Sequence, residues 1–163
     1  MNAFNRPDWI PHVHDGMRIL VTGGTGGLGR ALVKMLMEGS DCKIGVHGGS
    51  QKFASDDPRI IPIVKAFETE ADCKDTIREF VEITGGIDAL VILSGGLHFS
   101  EHWKEMPAET WERDMDVNLN QPFFLARAAM HHMEEQGTSG RILLTGTESA
   151  LHGGSPVSFP YAI

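Results

Sequence analysis

Residues 18–30, R-I-L-V-T-G-G-T-G-G-L-G-R, constrain the fold more than any other part of the chain. Ile19, Leu20 and Val21 make a short apolar run of β-type residues, a cluster of glycines follows, and residues 31–36 resume at helical spacing. Strand, tight turn, helix is the order a dinucleotide or phosphate site requires. The turn brings backbone close to the anion, and the helix N-terminus then offers free N–H groups and a partial positive charge. Gly23 is expected to turn the chain at positive φ, and Gly27 and Gly29 to leave room for a pyrophosphate and for close helix–strand packing. Leu28, Ala31, Leu32, Met35 and Leu36 share one helical face, the expected apolar one. No Lys-Ser/Thr follows the last glycine, so the turn is not a P-loop. A plain structural turn is the alternative.

Beyond this turn, the chain alternates strand and helix patterns. Strands are expected at 42–47, 60–64, 89–93 and 142–145, and helices at 70–83 and 110–135, the second bent near Pro122. The run 48–58 is polar and rich in small residues, so the helix between the second and third strands is short or missing. Pro62 favours an edge place or a strand start for the third strand. The continuous apolar run 89–93 reads as a strand covered on both faces and placed centrally. Gly85 and Gly86 stop the helix before it. Pro7, Pro11, Asp15 and Gly16 break any period at the start, so residues 1–16 are expected to run along the surface as a leader to a domain spanning 17–163. The pattern predicts a doubly wound α/β fold with a parallel sheet of about five strands. Ligands of such sheets bind outside the carboxyl ends of the strands, which gathers Gly23, Gly48, Ser94, Gly95 and Thr147 in one cleft, with Tyr161 close if the last segment returns over the sheet.

Charge and composition exclude several classes. With 22 acidic against 14 basic residues the net charge is −8, and no basic cluster offers a nucleic-acid surface. No apolar run is long enough to span a membrane and no signal-peptide core is visible. Cys42 and Cys73 are the only cysteines, which argues against a disulfide framework and for a reducing, cytoplasmic setting. His12 with His14, and His131 with His132, lack a third ligand at metal spacing, so no metal site is expected.

Five segments, taken together, resemble the short-chain dehydrogenase/reductase family. Thr22 to Gly29 is similar to its T-G-x-x-x-G-x-G signature, and Asp88-Ala89-Leu90-Val91 with Ser94-Gly95 is similar to its fourth strand and N-N-A-G turn. Trp111 through Asn118-Leu119 resembles the helix bearing the family's active-site Asn. Gly140-Arg141-Ile142 with Gly146-Thr147 resembles the strand leading to its catalytic Ser, and Tyr161-Ala162 the start of Y-x-x-x-K. The resemblance covers 18–163 and implies a Rossmann-type domain. It further implies hydride transfer between NAD(P)(H) and a small carbonyl or alcohol substrate, and a homo-oligomer formed through the helix at 110–135.

By that resemblance, Thr22, Gly23, Thr25, Gly27, Leu28 and Gly29 would cradle the adenosine-side ribose and pyrophosphate, with Gly48, Ser94 and Gly95 completing the cofactor cleft. Asn118 would hold the long helix open and bind a relay water, Thr147 would donate to the substrate oxygen where the family has Ser, and Tyr161 would be the general acid/base. Ser149 competes with Thr147 for the serine role, and His98, Phe99 and Trp103 either line the substrate pocket or cover the sheet edge. The chain departs from the family at Ile92-Leu93, where Asn-Asn is usual, and at Phe67, where an acidic residue is common. The tip 47–50, His-Gly-Gly-Ser, lacks the carboxylate of strict NAD sites, which slightly favours NADP. The family's lysine, four residues past the tyrosine, falls beyond Ile163. The chain is therefore expected to be the family's N-terminal portion, with the fifth strand at an edge. Activity of these 163 residues alone does not follow from the resemblance. A non-catalytic dinucleotide-binding or assembly module, or an inactive fragment, is the alternative.

Overall fold

The computed structural model of the chain describes residues 13–98 and 102–162. Its framework is β1 (Arg18–Thr22), α1 (Gly27–Gly39), β2 (Lys43–Gly48), β3 (Ile60–Val64), α2 (Glu70–Thr84), β4 (Ala89–Ile92), α3 (Ala108–Met115), α4 (Gln121–Glu135) and β5 (Arg141–Leu144). All strand pairs are parallel, in the order β3-β2-β1-β4-β5. The doubly wound sheet expected from the sequence is thus present, with β3 and its Pro62 at one edge and β5 at the other. No helix lies between β2 and β3.

Side-chain alternation along β1 divides the interior in two. Leu20 faces α2 and α4 in a cluster with Ile63, Cys73, Ile77, Phe80, Leu90, Ile92, Leu125 and Ala129. Ile19 and Val21 face the other way, with Val33 and Leu36 of α1 and Ile44 and Val46 of β2. Burying a side chain of this size contributes about 1.5–3 kcal/mol, so these two layers hold the sheet in place. α2 ends as expected at Gly85, which takes φ +80° and returns its N–H to the Val81 carbonyl.

Two expectations about faces need correction. The buried residues of α1 are Gly29, Val33 and Leu36, whereas Leu28, Ala31 and Met35 face solvent. Gly29 fits that rotation, because a Cβ there would lie 2.3 Å from Gly23 O in the turn before it. β4 is paired on both edges, but Leu90 and Ile92 are buried while Ala89 and Val91 are half-buried. Their face borders an open groove with Leu28, Leu32, Leu93, Leu143 and Leu144, because α1 lies over β1 and β2 and does not reach across.

The helix expected over 110–135 begins at Ala108 and is interrupted by a π segment, Asp116–Asn120, rather than by a simple bend. Pro122 has no N–H to give the Asn118 carbonyl, and the Gln121 N–H reaches back to Asp116 O in a wider turn. At the start, residues 13–17 lie against the beginning of β2, where Gly16 N donates to Asp41 O and Lys43 N to Met17 O. The rest of the leader, 1–12, is outside the described residues.

Candidate active site

The turn after β1 is built by close backbone approach. Gly23 has φ +67°, and a Cβ there would lie 2.7 Å from Leu93 C and Ser94 N, so only glycine lets β1 and β4 end side by side. A Cβ on Gly29 would fall 2.3 Å from Gly23 O, whereas one on Gly27 would meet nothing within 4 Å. Gly29 therefore locks the turn and Gly27 faces open space. α1 starts at N-cap Gly26, with no side-chain cap and no acidic residue in its first turn. Its leading N–H groups are left to an external acceptor.

Thr22 is buried and its Oγ1 lies 2.8 Å from Ser94 Oγ, joining the ends of β1 and β4. Thr25 sits against the end of β2, since a Cβ on Gly48 would be 2.6 Å from Thr25 Cγ2. Arg30 Nε donates to Thr25 O at 2.8 Å, and its guanidinium lies 5.5 Å from the Phe53 ring centre. Leu28 is 65% exposed beside this turn.

At the end of β4, the apolar Ile92-Leu93 pair contributes backbone: Leu93 N donates to Thr22 O and Thr145 Oγ1 to Ile92 O. Gly95 and Gly96 then pass under Asn118. A Cβ on Gly95 would be 3.0 Å from Asn118 Oδ1. That oxygen accepts from Gly96 N at 3.0 Å, and Asn118 Nδ2 donates to Gly96 O at 2.7 Å and to Asp114 O at 3.0 Å. Asn118 thus ties the π segment to the loop after β4.

Phe67, in place of the family's acidic residue, turns inward and stacks on His47 with ring centres 4.2 Å apart. Burial pushes the His47 imidazole below its ordinary pKa, and its Nε2–H donates to Lys65 O at 2.7 Å. Gln121 Nε2 donates to Phe67 O and to Asp116 Oδ2, fixing the strap behind that stack.

Thr147 Oγ1 accepts from Ser149 N at 3.2 Å and caps a 3-10 turn, Glu148–Leu151. Its own O–H stays able to donate outward. Tyr161 stands on a second turn, Phe159–Ala162, is 36% exposed, and its phenol has no partner among the described residues. The two turns pack on each other, and the second also packs on α3. Trp103 is exposed and its backbone N–H donates to Pro156 O, so that loop meets the segment carrying Tyr161. Phe99 lies outside the described residues.

Sequence reasoning does not single out Asp114. It is fully buried on α3, one turn before Asn118, and pairs with His98 Nδ1 at 2.7 Å. An acidic residue on the inward face of a helix leading to the active-site Asn is the signal that would have found it. Gln121 and the His47–Phe67 stack leave no comparable trace, since their partners are distant in sequence.

A match to the short chain dehydrogenase family covers residues 17–162, nearly all of the described structure. The chain belongs to the short-chain dehydrogenase family. Members are generally NAD(P)(H)-dependent hydride-transfer enzymes. It is 31% identical over 149 residues to an L-rhamnose 1-dehydrogenase (NAD(P)(+)) of Azotobacter vinelandii, covering 84% of this chain and 57% of that protein. It is also 30% identical to versicolorin reductase 1 of Aspergillus parasiticus, covering 93% and 59%. The chain therefore spans little more than half the length of these relatives. Among solved structures, a short-chain dehydrogenase/reductase from Serratia marcescens superposes with TM-score 0.75 at 25% identity, covering 91% of this chain and 65% of that one. An NADH-dependent reductase responsible for alginate metabolism gives TM-score 0.74 at 25% identity, with coverage of 91% and 65%. Among the described residues no helix is long and apolar enough to cross a membrane.

Proposed function

We propose that this family member binds NAD(P)(H) along the Gly23–Gly29 turn and transfers hydride between it and a small carbonyl or alcohol substrate. The observation that carries this reading is the uncapped start of α1 beside Gly27, on a turn that Gly23 packs against Leu93 and Ser94 at the end of β4. A dinucleotide fits the residues present: Gly27 leaves room at the helix end, and Gly23 and Gly29 hold the backbone where a side chain would displace it. The nicotinamide, when bound, supplies the hydride. Tyr161 would give a proton to the carbonyl oxygen, and the Thr147 hydroxyl would donate to the same oxygen while Oγ1 rests on Ser149 N. Asn118 would keep Gly95 and Gly96 flat under the cofactor.

NADP is the favoured cofactor. The tip of β2 has no carboxylate, and Arg30, held by Thr25 O and Phe53, places a cation near it. Self-association through the 110–135 region is supported by exposed Leu119, Phe123 and Met130. Cys42 and Cys73, both free and buried, support a reducing, cytoplasmic location.

The second reading, a dinucleotide-binding or assembly module without turnover, is favoured by Ile92-Leu93 and Phe67, apolar residues standing at cleft positions where the family commonly has polar ones. Calorimetric titration with NADPH and NADH tests the first. Saturable heat with both, tighter for NADPH, is expected; no heat with either from a chain shown to be folded by circular dichroism removes the cofactor reading. Binding without turnover of any ketone or aldehyde in a broad panel selects the module.

A further inference from the structure

The loop after β4 carries a side-chain pair that neither the Gly-rich turn nor the Thr147 and Tyr161 turns use. Asp114 is fully buried, and its Oδ1 accepts from His98 N at 3.1 Å and lies 2.7 Å from His98 Nδ1. Its Oδ2 is buried without a partner among the described residues. A carboxylate oxygen accepts, so this contact pairs it with an Nδ1–H, and in that tautomer the imidazole carries its lone pair on Nε2. The His98 side chain is 29% exposed, and among the described residues its hydrogen bonds run through N and Nδ1, with none at Nε2. That edge of the ring borders the site: a Cβ on Gly96 would lie 3.6 Å from His98 Cε1 and 3.9 Å from Nε2. Gly96 is the residue Asn118 clamps through both its N–H and its carbonyl. An oriented imidazole acceptor therefore opens beside the loop at the carboxyl end of β4.

We infer that His98 is a substrate-contact residue whose Nε2 accepts a hydrogen bond from a hydroxyl near the reacting carbon, so that the substrates are hydroxylated carbonyl compounds of the aldose or ketol class. The inference rests on the hydride-transfer reading of the same cleft. A lone-pair nitrogen needs a donor, which a hydroxyl supplies and an isolated keto group or an aryl edge does not. A site built to hydrogen-bond a hydroxyl discriminates strongly against an analogue lacking it, because the protein group is then left unpaired. A role confined to anchoring the loop would use only His98 N and Nδ1, both already bonded to Asp114.

The test is histidine-detected NMR of the full chain saturated with NADP+, with the His98 signal assigned from its loss in His98→Phe. L-rhamnose, D-glucose and hydroxyacetone are the hydroxylated probes, and cyclohexanone is the control. The expected result is an Nδ1-protonated His98 whose Nε2 resonance moves with at least one hydroxylated probe and not with cyclohexanone. Asp114→Asn, which can offer an amide donor to Nδ1, reverses the tautomer and removes that response. His98→Phe weakens the responding probe about tenfold, the worth of one hydrogen bond, and His98→Gln, which keeps an acceptor, recovers part of it. Should Asp114→Asn fail to fold, the Phe and Gln variants decide alone. An Nε2-protonated ring, or an Nε2 signal unmoved by all three hydroxylated probes with NADP+ bound, overturns the inference. So does equal weakening of the responding probe and cyclohexanone by His98→Phe. If instead the amides of 23–29 do not respond to NADP+, the cofactor reading itself fails and this inference falls with it.

Discussion

The N-termini of α1 and α2 solve the same problem in opposite ways. Both helices begin after a strand end, and both have leading N–H groups without intrahelical acceptors. α2 closes its own end: Thr69 Oγ1 accepts from Asp72 N, while Asp72 Oδ2 accepts from Thr69 N at 2.8 Å, Thr69 Oγ1 at 2.8 Å and Glu68 N at 3.2 Å. Glu70 and Asp72 also place negative charge in its first turn. α1 does none of this, starting from Gly26 with neither a cap side chain nor an acid. A helix end that serves only stability satisfies itself. One left bare at the carboxyl end of a central strand, with glycine as its cap, gives up only about 0.3 kcal/mol of capping and retains its positive end for an anion.

The largest expected effect separates the two glycines of the bare end. Gly29→Ala puts a methyl 2.3 Å from Gly23 O and 2.5 Å from Gly24 Cα, both backbone, so the turn must open. A loss of about 3 kcal/mol in urea unfolding is expected. Gly27→Ala meets no atom within 4 Å and should change stability by no more than about 0.5 kcal/mol. The same methyl should nevertheless weaken NADPH about tenfold or more, because it fills the approach to the helix end. Equal stability of the two variants would erase the distinction between the residue that locks the turn and the one that faces the ligand.

Next in size is an attempt to make α1 resemble α2. Leu28 is 65% exposed in the first turn, so Leu28→Glu costs little packing and adds the charge the dipole favours. Stability should stay level or rise by about 0.5 kcal/mol, while NADPH affinity falls about tenfold through repulsion of the phosphates. Unchanged affinity would mean the anion does not sit at this helix end. The converse variant, Thr69→Ala in α2, should cost about 1 kcal/mol and leave NADPH affinity untouched.

These contrasts also show what the sequence carried. β3 is observed at the expected residues, β1 takes in the apolar run 19–21 with one residue more at each end, and α2 begins where expected and runs one residue further, because Gly, Pro and polar breaks punctuate them. The rotation of α1 was not legible. Val33 and Met37 extend the apolar surface beyond the face shared by Leu28, Leu32, Met35 and Leu36, and periodicity cannot choose among such stripes. The choice falls to Gly29, whose missing side chain lets the helix close on Gly23 and Gly24, after which Val33 and Leu36 follow inward one and two turns on. β4 read as covered on both faces because its composition is uniformly apolar, yet only a neighbour in space decides which face is covered. In the cleft, residues within motifs were identified by spacing. The His98–Asp114 pair joins a loop to a helix, the His47–Phe67 stack joins β2 to the segment after β3, and no local pattern records such pairings.

The smallest expected effect is a pH dependence that α2 has and α1 lacks. Hydrogen bonds from the Thr69 hydroxyl, and then from its N–H, hold the Asp72 carboxyl below its ordinary pKa. A carboxylate depressed in the folded chain contributes stability that is complete above its unfolded pKa, about 3.9, and is lost as pH falls through its folded value. The stability difference between the chain and Asp72→Ala should therefore be constant near neutrality and shrink only on acidification below about pH 4. In Thr69→Ala the Asp72 carboxyl loses its main partner, so its titration should move up toward the ordinary range. The first turn of α1 holds no acid, and its amide signals should show no transition in that window. Carbon-detected NMR of the Asp72 carboxyl, read beside the amides of 27–29 and 70–72, follows both helix ends in one titration. A difference that stays flat through strong acid, with the Asp72 signal titrating at its ordinary pKa, would show that the closed end of α2 is held by the Thr69 cap alone, without the reciprocal bond from Asp72.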